Sequence, residues 1–186
     1  MTRFAITDTP LAGLKVVERI ARGDARGFLV RMFCAEELAA AGWQRPIAQI
    51  NHTSTARSGT VRGMHFQHPP HSETKLVMCV RGAVWDVAVD LRAGSPTVLR
   101  WHAQVLSAEN RLALLIPRGF AHGFQAQSDD CELVYLHDAA YAPASEGALN
   151  ALDPKLAISW PQPVTERSAR DQEHPMLASD FQGIRV

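Results

Sequence analysis

Val84-Trp85-Asp86-Val87-Ala88-Val89-Asp90-Leu91 alternates as a β-strand does. Successive side chains of a strand point to opposite faces. Trp85, Val87, Val89 and Leu91 therefore share a wholly apolar face, and Val84, Asp86, Ala88 and Asp90 share the other. Two carboxylates on one face fit a half-exposed sheet facing water. That is the commoner case; the alternative is the wall of a polar cavity inside a barrel, with the greasy face packed on another layer.

Outward from this strand, Lys75–Val80, Arg100–Leu106, Leu112–Ile116, Gly123–Ala126 and Glu132–Leu136 read as further strands. Turn residues divide them: Arg81-Gly82, Ala93-Gly94-Ser95-Pro96, Glu109-Asn110, Pro117-Arg118-Gly119 and Ser128-Asp129-Asp130. Many short strands at such intervals predict an all-β sandwich or barrel. Cys34–Ala41 is rich in helix formers and stops at Gly42, which predicts one short helix. Beyond Trp160 the chain is polar and holds Pro161, Pro163 and Pro175, the pattern of an irregular arm with short helical turns. No repeat or long linker divides the sequence. Residues 1–186 are expected to form a single domain, with the barrel core at about 45–140 and an N-terminal arm and C-terminal tail packed on it.

Composition narrows the function classes. With 46% hydrophobic and 20% charged residues, the chain is too apolar for a disordered protein. Nineteen basic and nineteen acidic side chains give zero formal charge, which argues against nonspecific nucleic-acid binding. Neutrality also provides little repulsion between copies, so self-association is expected. The start, MTRFAITDTPLAGLKVVERI, lacks a signal-peptide pattern, and apolar runs such as LALLIP from Leu112 are too short to span a bilayer. Cys34, Cys79 and Cys131 are odd in number and form no CxxC, so they read as small hydrophobes rather than a disulfide or zinc framework. A cytoplasmic protein without a membrane partner is the expectation.

His65, His68 and His71 crowd into Arg62–His71, and His122 lies in Ile116–Phe124. Histidine suits both metal binding and proton transfer near neutrality. Pro117-Arg118-Gly119-Phe120-Ala121-His122 resembles the second signature of the cupin superfamily, whose metal-binding members pair it with an earlier His-x-His and Glu. Here that segment is His65-Phe66-Gln67, which lacks the second imidazole, although Glu73 follows. No metal site is expected, and His68 and His71, flanking Pro69-Pro70, read as solvated loop residues.

Arg62-Gly63-Met64-His65-Phe66-Gln67, Pro69-Pro70, Lys75-Leu76-Val77 and Asp86–Arg92 together resemble the dTDP-4-dehydrorhamnose 3,5-epimerase family. So do Ser95-Pro96-Thr97, Leu106–Asn110, Ile116–Phe124, Tyr141-Ala142-Pro143 and Asp153-Pro154, in the family's order from about Arg26 to Asp171. The resemblance implies a cupin-type jelly-roll barrel and a homodimer that epimerises a nucleotide-linked 4-keto-6-deoxy sugar with no cofactor. The ketone acidifies the hydrogens at C3 and C5; a base removes one, and an acid on the opposite face returns a proton. The enolate oxygen needs a donor or positive charge in a site shielded from water.

By this resemblance, His65 is the general base and Asp171 its paired carboxylate. Tyr135 is the proton donor on the other face, and Lys75 the cation near the C4 oxygen. Asp86 and His122 form a second buried dyad, which accounts for an inward Asp86. Arg62 and Asn51, with Gln49 nearby, correspond to sugar and phosphate contacts. Arg26 corresponds to an arginine reaching the diphosphate from a partner subunit, Tyr141 to the aromatic that stacks on the base, and Glu146 and Arg170 to further substrate contacts. Asp90 is expected to support its loop with Arg92. An anionic ligand in a neutral protein requires local positive charge, so Arg26, Arg62, Lys75, Arg31 and Arg170 are expected to converge on one cavity. Three departures from the family pattern, Arg31 in place of a carboxylate, Ala140 in place of a tyrosine and Ala151-Leu152 before Asp153-Pro154, suggest a changed nucleotide or sugar.

Overall fold

The structure is a computed structural model and describes residues 2–186. Two antiparallel sheets face each other. The larger combines β1 (Phe4–Asp8), β2 (Lys15–Arg19), β10 (Leu112–Ile116), β7 (Lys75–Arg81), β12 (Cys131–His137) and β5 (Gln49–Thr55), in the order β1-β2-β10-β7-β12-β5. The smaller combines β13 (Glu146–Ala148), β6 (Val61–Gln67), β11 (Phe120–Ala126), β8 (Ala83–Asp90) and β9 (Trp101–Ser107), in the order β13-β6-β11-β8-β9. A separate exposed hairpin joins β3 (Arg22–Asp24) to β4 (Gly27–Leu29). This is the jelly roll expected from sequence, with sheet edges left open rather than closed into a continuous barrel.

The alternation in β8 decides the layering. Val84 and Ala88 pack between the sheets with Val77, Cys79, Leu114, Phe124 and Leu133. The opposite face, Trp85, Val87, Val89 and Leu91, packs under the C-terminal arm against Leu149, Leu156, Trp160, Leu177 and Ile184. Each of these aliphatic side chains contributes about 1.5–3 kcal/mol on leaving water. Trp85 meets both Trp101 and Trp160 edge-on at 5.6 Å. The outer face of the large sheet is covered by Phe4, Trp43 and Leu38, the last from α1 (Ala35–Ala39). The apolar plug fills only one end of the space between the sheets; the other end is a polar-walled cavity.

The strands read from sequence are present with ends shifted by a few residues. β1 to β6 and β13 are additional to the strands expected from sequence. Asp90 is fully buried and holds the following loop through Arg92, Ser95 and Thr97, as expected. The tail is irregular apart from α2 (Ala169–Glu173). Cys79 and Cys131 are buried, Cys34 is half-buried, and none is in a disulfide. Burial pushes the Cys79 thiol up to about 11, which keeps it unreactive.

Candidate active site

The cavity has a volume of about 480 Å³ and takes its walls from both sheets. β6 and β11 supply Arg62, His65 and His122; β7 and β12 supply Lys75, Tyr135 and His137; β5 supplies Gln49, Asn51 and Thr53. His65 and His122 are register partners on adjacent strands. Gly63 permits this pairing: it has φ +123°, and a Cβ there would lie 2.6 Å from Gly123 Cα. β6 and β11 can approach so closely only with glycine at the crossing, just before His65 turns inward.

His65 Nε2 lies 2.9 Å from Asp171 Oδ1. Asp171 is buried in α2, where the Ser168 hydroxyl caps the helix by accepting its backbone N–H, and Gly63 N–H donates to Asp171 Oδ2 at 3.3 Å. Burial opposes ionisation of Asp171, but the hydrogen bond and charge of His65, with the Gly63 bond, hold it below the usual carboxylate range. An ionised Asp171 accepts the Nε2–H of His65 and leaves Nδ1 as the basic nitrogen. His174 Nε2 reaches the same Oδ1 at 3.1 Å, and burial and the His65 charge keep this second imidazole below its usual pKa.

Tyr135 stands on the opposite sheet. Its hydroxyl accepts from Thr53 Oγ1 at 3.4 Å, and its ring meets His122 edge-on at 5.8 Å. Burial pushes the phenol well above its ordinary pKa, so it enters the site as a protonated donor. His122 Nε2 in turn lies 2.8 Å from Asp86 Oδ2. Asp86 is wholly buried, its Oδ1 has no partner, and burial pushes its carboxyl up despite the His122 charge. Lys75 Nζ pairs with Glu73 Oε1 at 2.9 Å, at the start of β7.

At the mouth, Gln49 Nε2 donates to Asn51 Oδ1 at 3.0 Å, and Tyr141 N–H donates to Gln49 Oε1 at 2.9 Å. The Tyr141 hydroxyl donates to Glu146 Oε2 at 2.9 Å, while half of its surface stays open. Arg62 is anchored by Thr55 Oγ1 and Ser54 O.

The structure thus brings His65, Lys75, Tyr135, His122, Arg62, Gln49, Asn51, Tyr141 and Glu146 to one cavity. Asp171 and Asp86 stand behind their histidines rather than in the cavity wall. The expected convergence of cations does not occur within this chain: of the five, Arg62 and Lys75 line the cavity. Arg26 is tied to Asp24 on the exposed hairpin, Arg31 pairs with Glu37, and Arg170 pairs with Glu146 at the rim. Each follows the nearest carboxylate, a local pairing that composition does not disclose.

The residues weighed from sequence as a metal set do not fit one. Glu73 receives Lys75 on one oxygen and His137 Nδ1 on the other, and Gln67 is spent on the Ala142 N–H, the Ala140 and His71 carbonyls and Glu73 itself. A different trio, His65, Asp171 and His174, brings its ligand-type atoms within 4.8 Å, with both imidazoles hydrogen-bonded to the carboxylate. His68 and His71 are exposed, as expected. Sequence reasoning missed His137 and His174 as site residues. His137 follows Tyr135 by two on a strand and His174 follows Asp171 by three, spacings that place each beside a residue already singled out.

The model of the family described as dTDP-4-dehydrorhamnose 3,5-epimerase matches residues 8–179. The chain belongs to this family. It is an epimerase, of the isomerase class. Among members of the family, a dTDP-4-dehydrorhamnose 3,5-epimerase of Sinorhizobium fredii is 37% identical over 180 residues, covering 95% of this chain and 92% of its own. A dTDP-4-dehydrorhamnose 3-epimerase of Streptomyces niveus is 43% identical over 158 residues, 84% of this chain and 76% of its own. The crystal structure of a dTDP-6-deoxy-D-glucose-3,5-epimerase from Legionella pneumophila, in complex with dTDP-4-keto-L-rhamnose, superposes with TM-score 0.91 at 35% identity, covering 98% of each chain. The family's epimerase fold accordingly extends over nearly the whole chain.

Proposed function

We propose that this epimerase inverts C3 and C5 of a dTDP-linked 4-keto-6-deoxy sugar, turning the dTDP-4-dehydro-6-deoxy-D-glucose type into the dTDP-4-dehydro-L-rhamnose type. One observation carries the reading: His65, backed by Asp171, and Tyr135 stand on opposite sheets of one cavity. Inversion needs that geometry, a base on one face of the ring and an acid on the other. His65 Nδ1 takes the hydrogen beside the ketone, and Asp171 steadies the imidazolium. Lys75 meets the oxygen that becomes the enolate. Tyr135 returns a proton from the far side, and the His122–Asp86 pair packs against its ring. No step calls for a metal or redox cofactor.

The handle is read at the mouth. Tyr141 offers an open aromatic face to the base, and Arg62, Asn51 and Gln49 reach the sugar and diphosphate, with Glu146 and Arg170 at the rim. Arg26 serves the neighbouring subunit of a homodimer. Its hairpin carries Phe28 and Leu29, 65% and 63% exposed, and the edge strand β5 exposes Ile50, apolar surface that a second copy would cover. Arg31 is drawn to Glu37, which weakens the case for an altered nucleotide, and the family's dTDP sugars are the first choice. Work in the cytoplasm as a single-domain protein accords with three free thiols. The described residues contain no helix long and apolar enough to cross a membrane.

A second reading, inversion at C3 alone, is favoured by the Streptomyces niveus relative. Incubation of the 4-keto sugar in deuterated water, followed by NMR, separates the two. Deuterium at both C3 and C5 supports the proposal, deuterium at C3 alone gives the second reading, and binding without exchange leaves a sugar-nucleotide-binding module.

A further inference from the structure

The cavity wall holds a buried chain of charges that the proton-transfer scheme leaves unused. Glu73 accepts Lys75 Nζ on Oε1 at 2.9 Å, and His137 Nδ1 on Oε2 at 2.9 Å. Gln67 Nε2 adds a third donor to Oε2 at 3.3 Å. All three charged or titratable side chains are less than a tenth exposed. Burial alone would raise the Glu73 carboxyl, but His137 and Lys75 hold it below its usual range, so it is an anion.

The placement is well supported. Lys75 and His137 are register partners on β7 and β12, so their side chains leave the sheet together. The segment before β7 is pinned where Thr74 N–H donates to Asp138 Oδ1 at 2.7 Å, and Arg118 holds the other oxygen at 2.7 Å. The His137 ring stacks on Tyr135, with centroids 6.2 Å apart and planes at 24°, and its Nε2 is buried without a partner. His137 thus touches both the candidate acid and the partner of the candidate cation.

A buried ion pair is a poor device for stability, because desolvation offsets most of its attraction. This one sits where its ammonium has a use. An ammonium has three donors, and only one of those on Lys75 is taken by a described residue. The others remain for a ligand. Resting on the epimerase reading above, we propose that Glu73, clamped by His137, is a positioning residue that pairs with the Lys75 ammonium and aims it at the substrate's ketone oxygen. Preorganisation of this kind removes the cost of orienting the cation as the enolate forms. Other titratable groups sharing the cavity are Tyr135 on β12, His65 and Arg62 on β6, His122 on β11, Glu146 on β13 and Tyr141 at the mouth, with Asp86 on β8 interacting electrostatically with Lys75.

The test compares Glu73→Gln, Lys75→Met and the double variant across pH. The substrate is the dTDP-linked 4-keto sugar, and the readouts are solvent exchange, kcat and KM. Glu73→Gln keeps the shape and removes the counter-ion. Its alkaline limb in kcat is expected to move down by about one pH unit or more, with KM within about twofold, and Glu73→Asp to restore the limb. In the Lys75→Met background the same change is expected to add no further loss. This comparison also serves if the single variant fails to fold, since the double variant leaves no uncompensated charge. A wild-type pH profile in Glu73→Gln, a loss uniform across pH, or an additive loss in the double variant overturns the proposal. Absence of exchange in the wild-type protein would instead overturn the epimerase reading.

Discussion

His65 Nε2 and Asp171 Oδ1 are 2.9 Å apart in space and 106 residues apart in sequence. The base comes from β6, second in the order of the smaller sheet, and its carboxylate from a short helix on an arm that lies outside both sheets. The residues that tune the reaction are therefore held by different parts of the fold, and they can be tested separately.

His65→Ala is expected to abolish solvent exchange at both carbons, whereas Tyr135→Phe permits exchange and slows the completion of inversion. Removal of one positioned acid or base costs about 10²–10⁴-fold in rate. Equal and complete loss of exchange in both variants would show that the two roles are not divided between the two sheets.

Asp171→Asn keeps the shape of the dyad and removes its charge. Asp171 is held below its usual range, so it is ionised at neutral pH. The variant is expected to lose about 10²–10⁴-fold in kcat/KM. Its acid limb should move to lower pH, because the imidazolium loses its anionic partner. A pH–rate profile decides, and an unmoved acid limb would assign Asp171 a purely structural part.

Asp90 gives a stability prediction. Burial works to raise its carboxyl, but Arg92, Ser95 and Thr97 overcome this and hold it at about 2, against an ordinary 3.8. A depressed carboxylate stabilises the fold above its unfolded pKa, and that contribution is lost as pH falls towards the folded value. Asp90→Asn is expected to cost about 2 kcal/mol at neutral pH, as read from denaturant midpoints. The gap from the parent protein should narrow as pH drops from about 4 to about 2. A gap that is constant with pH would trace the loss to packing.

Arg26 tests the homodimer. If it serves the neighbouring site, Arg26→Ala raises KM by about 10–100-fold, the worth of a charge-assisted hydrogen bond, with little change in kcat. Mixed with His65→Ala subunits, it should regain activity, because one site in each mixed dimer then has both residues. No recovery on mixing would place Arg26 at the site of its own chain, or at none.

Much of the fold was legible because it rests on alternation. VWDVAVDL gave the correct inner and outer faces, and the strands from β7 to β12 followed. β5, QINHTST, escaped because it is an edge strand with little buried surface and so carries no apolar period. β6 escaped because Gly63 breaks its pattern at the close approach to β11. Asp171 was legible only as a motif, since an irregular arm leaves no periodic trace of where it returns. The Glu73–His137 contact was not legible at all: it depends on the register of β7 against β12, which no local pattern states.

The arm that delivers Asp171 docks through Leu156, Trp160 and Leu177, and through the bond from Val61 N–H to the Glu166 carbonyl at 2.9 Å. None of these contacts joins one sheet to the other. The carboxylate of the dyad is therefore held by the same docking that covers the apolar face of the smaller sheet. A local opening of the arm would take Asp171 from His65 while the strand pairing of both sheets remains.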